Sequence, residues 1–192
     1  FKEEQKGVKQ LLLLEDGTKL VTISMRIPPD NVDNVASALI VARTIPDGEK
    51  IYSVDYELRG TVYKAAVVSV DEHHIVAPGL DKSLRECLHV FHARTGARLH
   101  RIPIKNSGIK DMQSVVALPH KPHWVGVVGN DKAGILDIKT KRHVRTLDGR
   151  AIAEYRAPAE VTGIASAHAG KAVAIASQDG CLTVLNIVDP HK

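Results

Sequence analysis

Short apolar and β-branched runs, separated by clusters of turn-forming residues, follow one another along the whole chain. Val8 to Leu14, Lys19 to Met25, Ala38 to Arg43 and Lys50 to Leu58 are divided by Glu15-Asp16-Gly17, by the longer Pro28-Pro29-Asp30-Asn31 segment and by Pro46-Asp47-Gly48. Runs this short, bounded by Gly, Pro, Asp and Asn, predict strands. A second set follows at Val62 to Val70, His74 to Pro78, Glu86 to His92 and Arg98 to Ile104, with turns at Asp71-Glu72, Gly79-Leu80-Asp81 and Thr95-Gly96. A third comprises Gln113 to Leu118, Trp124 to Val128, Ala133 to Ile138 and His143 to Leu147. The last has Val161 to Ala165, Lys171 to Ser177 and Cys181 to Ile187, and no fourth run. Strand endings at Ala42, His92, Asp137 and Asn186 thus recur with a period of roughly 45–50 residues, which predicts a repeat array of units 8–58, 61–104, 113–148 and 160–188, the last incomplete.

Val127, Val128, Ala174 and Ile175 lie in continuous apolar runs, as expected of strands covered on both faces. Arg98-Leu99-His100-Arg101-Ile102 alternates, as expected of a strand with one face in water. Val32, Val35, Ala36 and Leu39 have helical spacing after Asp30-Asn31, so a short helical turn ahead of the third strand is an open alternative.

The turn residues carry a resemblance. Ser177-Gln178-Asp179-Gly180 precedes Leu185-Asn186, and Asn130-Asp131 precedes Leu136-Asp137 at the same spacing. Phe91-His92 is followed by Thr95-Gly96. These features resemble the S-x-D-G turn, terminal Trp-Asp dipeptide and Thr-Gly turn of WD-repeat β-propellers. Blades of this degenerate kind are similar to those in large proteins joining a NACHT-type NTPase to a WD-repeat tail. The resemblance implies an all-β fold, a β-propeller of four-stranded antiparallel blades, with about four blades here as part of a larger ring. Asp131, Asp137, Asp179, Gly180 and Asn186 then take structural turn and strand-end positions, where Asp and Asn bond nearby backbone and Gly supplies positive φ. The Trp position holds Val41, Phe91, Leu136 and Leu185, and no Gly-His pair precedes a repeat. The family's hydrogen-bonded Asp-His-Ser-Trp tetrad is therefore not expected.

Composition narrows the function classes. With 192 residues, 44% of them hydrophobic, the chain can bury a substantial core, and no run approaches the roughly 18 apolar residues of a membrane span. No membrane insertion is expected. The net charge of +4 comes from 26 Lys and Arg set among 22 Asp and Glu, a mixed surface that implies solubility and no nucleic-acid partner. Cys87 and Cys181 lack metal or redox spacing and read as small buried hydrophobes in a reducing, cytoplasmic compartment. Phe1 begins no secretory leader, and the expectation is an excised segment of a longer protein. Such a segment leaves sheet edges open and is expected to expose apolar surface and associate when isolated.

Catalytic signatures for phosphate loops, serine hydrolases and zinc proteases do not occur. His120 and His123, beside Trp124, read as a polar turn with Trp124 in the core; His73-His74 is a poor chelate because adjacent strand residues point to opposite faces. Lys139 to Arg145 reads as a solvated basic hairpin, since an aromatic content of 4% leaves few platforms for base stacking. Ser166 and His168 read as a turn, with no third group to orient them. No cofactor or metal is expected. The leading expectation is a non-catalytic scaffold or sensor tail for other proteins, with contact loops at Arg59-Gly60, Asp81-Lys82, Lys105 to Lys110 and Asp131-Lys132. The alternative is a propeller hydrolase or oxidoreductase with its site at the central channel, disfavoured because the innermost strands begin with mostly neutral residues.

Overall fold

The computed structural model describes residues 7–15, 17–26, 35–59, 66–69, 71–104, 109, 112, 114–118, 121–129, 132–143, 155–156, 161–167 and 172–186. All regular structure among them is β. The chain forms two compact units: Phe1–Val68 with Glu72–Arg101, and Ser69–Asp71 with Ile102–Lys192.

In the first unit, β1 (Val8–Leu14), β2 (Lys19–Arg26), β3 (Val35–Thr44) and β4 (Lys50–Arg59) form one antiparallel meander in chain order. Strand alternation sends Leu14, Val21, Ile23, Ile40, Tyr56 and Leu58 to one face. There they pack on Ala66, Ile75, Ala77, Phe91 and Ala93 of a second meander. That sheet contains β5 (Val67–Val68), β6 (His74–Leu80), β7 (Glu86–His92) and β8 (Arg98–Pro103). Directed bonds reinforce the apolar contact. The Gln10 side-chain amide pairs with both groups of the Ala66 peptide, donating at 2.8 Å and accepting at 2.9 Å. Tyr52 donates its hydroxyl to Ala93 O at 2.7 Å, and Arg98 Nη2 donates to Asp55 O at 2.7 Å. Four bonds between two sheets, each worth about 1 kcal/mol net, matter less for stability than for fixing the register of the sheets.

In the second unit, β9 (Ser114–Ala117), β10 (Trp124–Val128), β11 (Lys132–Asp137) and β12 (Arg142–His143) again run as a meander, and β13 (Tyr155–Arg156) pairs with β11. The three-stranded sheet of β14 (Val161–Ala167), β15 (Ala172–Ser177) and β16 (Leu182–Asn186) packs β14 against β9 and β10. Its core joins Leu118, Trp124, Val128, Ile135, Val173 and Ile175, with Ile164 and Val116 against it.

Several sequence expectations change. Val35, Ala36 and Leu39 lie in β3, because Val35 and Ala36 pair with β4 and Leu39 with both β2 and β4, which satisfies the backbone as strand; Val32 lies outside the described residues. Gly79 and Leu80 continue β6, paired with Cys87 and Glu86, so that turn begins at Asp81. The β13 pairing had no signal in a two-residue segment. Cys181 is exposed, unlike Cys87, because it ends a turn on a sheet edge. Ser166 lies within β14, paired with Val173, so the segment is not a turn there; His168 lies outside the described residues. Among the described residues, the largest apolar exposures fall on the first and last strands, with Leu11 at 62%, Leu13 at 63%, Leu182 at 69% and Val184 at 56%.

Candidate interaction surface

A meander of antiparallel strands sorts its connections. In each sheet the turn between the second and third strands and the exit of the fourth share one end, and the other turns share the opposite end. Arg59 closes β4, Asp81 and Lys82 open the β6–β7 turn, Lys132 begins β11, and Asp179 and Gly180 form the β15–β16 turn, all at the first end of their sheets. Asp137 and Asn186 close third strands, at the other end. Lys105, Lys110 and Asp131 lie outside the described residues, as do Gly60 and His120.

The β6–β7 turn is the best defined of these. Asp81 Oδ1 accepts from the backbone N–H of Ser83 at 2.8 Å and of Arg85 at 3.0 Å, while Oδ2 accepts from Arg85 Nε at 2.9 Å and lies 2.9 Å from Nη2. Asp81 N donates to Arg85 O at 2.8 Å, and Leu84 N donates to Asp81 O at 3.0 Å. Burial works against the Asp81 carboxylate, yet the bonds from Arg85 and Ser83 outweigh it and hold its carboxyl below the usual range. The turn so fixed presents Lys82, Ser83 and Leu84 to solvent. Leu84 sits at φ 57°, a left-handed conformation uncommon for any residue but glycine and a mark of a turn whose shape is overdetermined by its bonds.

Asp179 repeats the device: its Oδ1 accepts from Cys181 N at 3.0 Å, Gly180 N donates to Ser177 O at 3.0 Å, and Gly180 has φ 82°. The Cys181 backbone bond, ahead of burial, sets the Asp179 carboxyl below its usual range. Asp179 in turn raises the exposed Cys181 thiol, through a hydrogen bond and its charge, which disfavours the reactive thiolate. Asp137 caps the third-to-fourth strand turn, accepting at Oδ1 from Lys139 N at 2.8 Å and Thr140 N at 3.1 Å; its Oδ2 lies 3.6 Å from His123 Nε2. Asn186 is exposed at the end of β16, opposite Ala172. Among the described residues, no three His, Cys, Asp or Glu side chains gather to hold a metal ion.

A second polar feature lies in the interior. His89 on β7 is fully buried, with Nε2 at 2.8 Å from Leu80 O; a carbonyl only accepts, so Nε2 carries the proton. Cys87 Sγ lies 3.6 Å from the same nitrogen. Burial pushes the Cys87 thiol up to about 12, and burial with the nearby Arg98 charge pushes His89 down to about 4. A neutral thiol beside a neutral imidazole is not an activated nucleophile. Sequence reading passed over His89, although alternation already placed it on the face of Cys87 and Phe91, a polar ring on an apolar face.

Meanders of this kind, stacked face on face with turn-capping aspartates, define a WD-repeat type of β-propeller. A family model described as the NWD2 C-terminal beta-propeller matches residues 1–148 and 142–187, and the chain belongs to that family, a propeller of the NACHT/WD-repeat type. The crystal structure of the C-terminal WD40 domain of Sif2 superimposes with a TM-score of 0.63 at 14% identity over 93% of this chain. A mitotic checkpoint complex structure gives 0.60 at 16% identity over 95%, and the acylaminoacyl peptidase of Pyrococcus horikoshii 0.62 at 10% identity over 88%. At these identities the likeness is one of fold. The chain spans 43%, 51% and 28% of those three chains, respectively. No curated protein sequence matches it.

Proposed function

We propose that the chain is part of a non-catalytic propeller that serves as a protein-interaction scaffold or sensor tail of a larger cytoplasmic protein. WD40 propellers as a class bind other proteins. The observation that carries the reading here is the Asp81–Arg85 turn, locked by its own carboxylate and guanidinium while Lys82, Ser83 and Leu84 face solvent. A preorganised turn loses little freedom on docking, so contacts made by its exposed side chains convert more fully into affinity. The two sheets of the first unit, tied through Gln10, Tyr52 and Arg98, supply the fixed frame that loop recognition requires. The neutral state of Cys87 and His89 supports a non-catalytic role. Arg59, Lys105, Lys110, Asp131 and Lys132 are proposed as further contact positions.

The test is capture of partners by the full-length protein carrying Lys82→Glu with Leu84→Ser. Partner recovery is expected to fall about 5- to 30-fold, the effect of losing one anchor worth about 1–2 kcal/mol, with an unchanged melting temperature. An unaltered partner set would remove this turn from the binding surface.

A further inference from the structure

The interior of the first unit places His89 where a second proton has nowhere to go. Its ring stacks on Phe91 at 5.9 Å with an 11° interplanar angle and meets Tyr56 of β4 at 5.4 Å. Below it lies Gly79, so close that a methyl group there would fall 2.5 Å from Cδ2. The ring is therefore clamped between β6, β7 and β4 and cannot swing toward water. Nε2–H is spent on Leu80 O, and the buried Nδ1 has no hydrogen-bond partner, so a proton added there gains no acceptor.

The charges around it make that proton more costly. The charges of Arg98 and Arg101 on β8 both disfavour an imidazolium, Arg98 being held over Phe91 at 5.5 Å and anchored to Asp55 O. From β7 itself comes the neutral Cys87. Of the acids nearby, Asp81 on the β6–β7 turn favours the imidazolium but is engaged by Arg85 and Ser83; Glu57 of β4 acts on Arg98 and Cys87 from an exposed position. Tyr56 of β4 meets the imidazole with its ring tilted by 48°. The one relief open to a protonated ring is separation of β4 from β6 and β7, which admits water.

We propose that His89 is a proton-operated latch: neutral, it holds the β1–β4 sheet against the β5–β8 sheet, and protonated, it releases that contact ahead of the rest of the chain. A histidine whose folded value lies below its unfolded one leaves stability intact above pH 6.5 and loses it progressively as the pH falls toward 4. For values of about 4 and 6.5, the opening equilibrium of the two sheets rises roughly 20- to 30-fold between pH 7.5 and 5. Among the described residues, no buried histidine packs in the cluster around Trp124 of the second unit.

The experiment is amide hydrogen exchange on the full-length protein between pH 7.5 and 5, corrected for intrinsic rates, with His89→Gln beside the wild type. The amide nitrogen of Gln reaches the position of Nε2 and keeps a donor for Leu80 O but cannot titrate. Protection in β4, β6 and β7 of the wild type is expected to fall roughly 20- to 30-fold while β10 and β15 hold, and the variant is expected to lose that pH dependence. Equal losses in both units, or pH dependence that persists in the variant, would overturn the proposal. Should the variant not fold, the imidazole titration of the wild type decides alone by NMR: resonances still neutral at pH 5 support the latch, and a midpoint near 6.5 refutes it.

Discussion

Replacing Phe91 with Ala is expected to cost about 3–5 kcal/mol, the range for emptying a large aromatic site in a packed core. Phe91 is fully buried between the two sheets of the first unit, and its neighbours have little freedom to collapse into the space. Tyr56 meets it at 5.7 Å, His89 stacks on one face, and the Arg98 guanidinium lies over the ring at 5.5 Å. Removing the ring also strips Arg98 of its cation–π partner, adding to the loss. Denaturant unfolding of the full-length protein followed by a probe in this propeller should show the midpoint falling with the slope preserved. A loss below about 1 kcal/mol would mean that the site collapses freely and that the two sheets are not held by this cluster.

Gly79→Ala is the second large effect, and its sign runs against the usual expectation. In a strand, Gly→Ala ordinarily stabilises by about 0.4–1 kcal/mol through the unfolded chain where the native backbone accepts a Cβ. Here the new Cβ would lie 2.5 Å from His89 Cδ2 and 2.7 Å from Glu57 O. The carbonyl belongs to the backbone of β4, so neither neighbour can yield without separating the sheets. Overpacking of that kind typically costs 1–3 kcal/mol, which outweighs the entropic gain. Combining Gly79→Ala with His89→Ala should recover only part of the loss, since the Glu57 contact remains; full recovery, or a stabilised single variant, would show that β4 does not approach β6 as closely as described.

Much of the fold was legible from residue pattern, and the limits have physical causes. The β1, β7 and β10 runs are bounded by turn residues and need no tertiary information, so their ends fall where the pattern places them. Val35 and Leu39 show the opposite case: helical spacing in a short segment was overridden by ladder partners, Ser24 and Asp55 for Leu39 and Arg59 for Val35, which no local signal announces. Leu80 reads as a turn residue because Gly79 precedes it, yet Gly79 is there for close approach of β4 and His89 rather than for a bend. The candidate surface was only partly visible. Asp81 and Lys82 stand out as a polar pair, but Arg85, whose guanidinium closes the turn, and Leu84, which projects from it, owe their roles to a bonding pattern that spacing does not reveal.

The residues that fix the turns and those proposed to make contact are different sets. Asp81, Asp137 and Asp179 spend their carboxylates on neighbouring backbone and so hold the shape of their turns; on the proposed function, contact falls to Lys82, Ser83 and Leu84. The most direct test is a hydrogen-exchange footprint of the full-length protein with and without a captured partner. The account predicts new protection at residues 82–85, with little change at 94–97 on the opposite end of the same sheet. Protection confined to 94–97, or none in this chain, would contradict it.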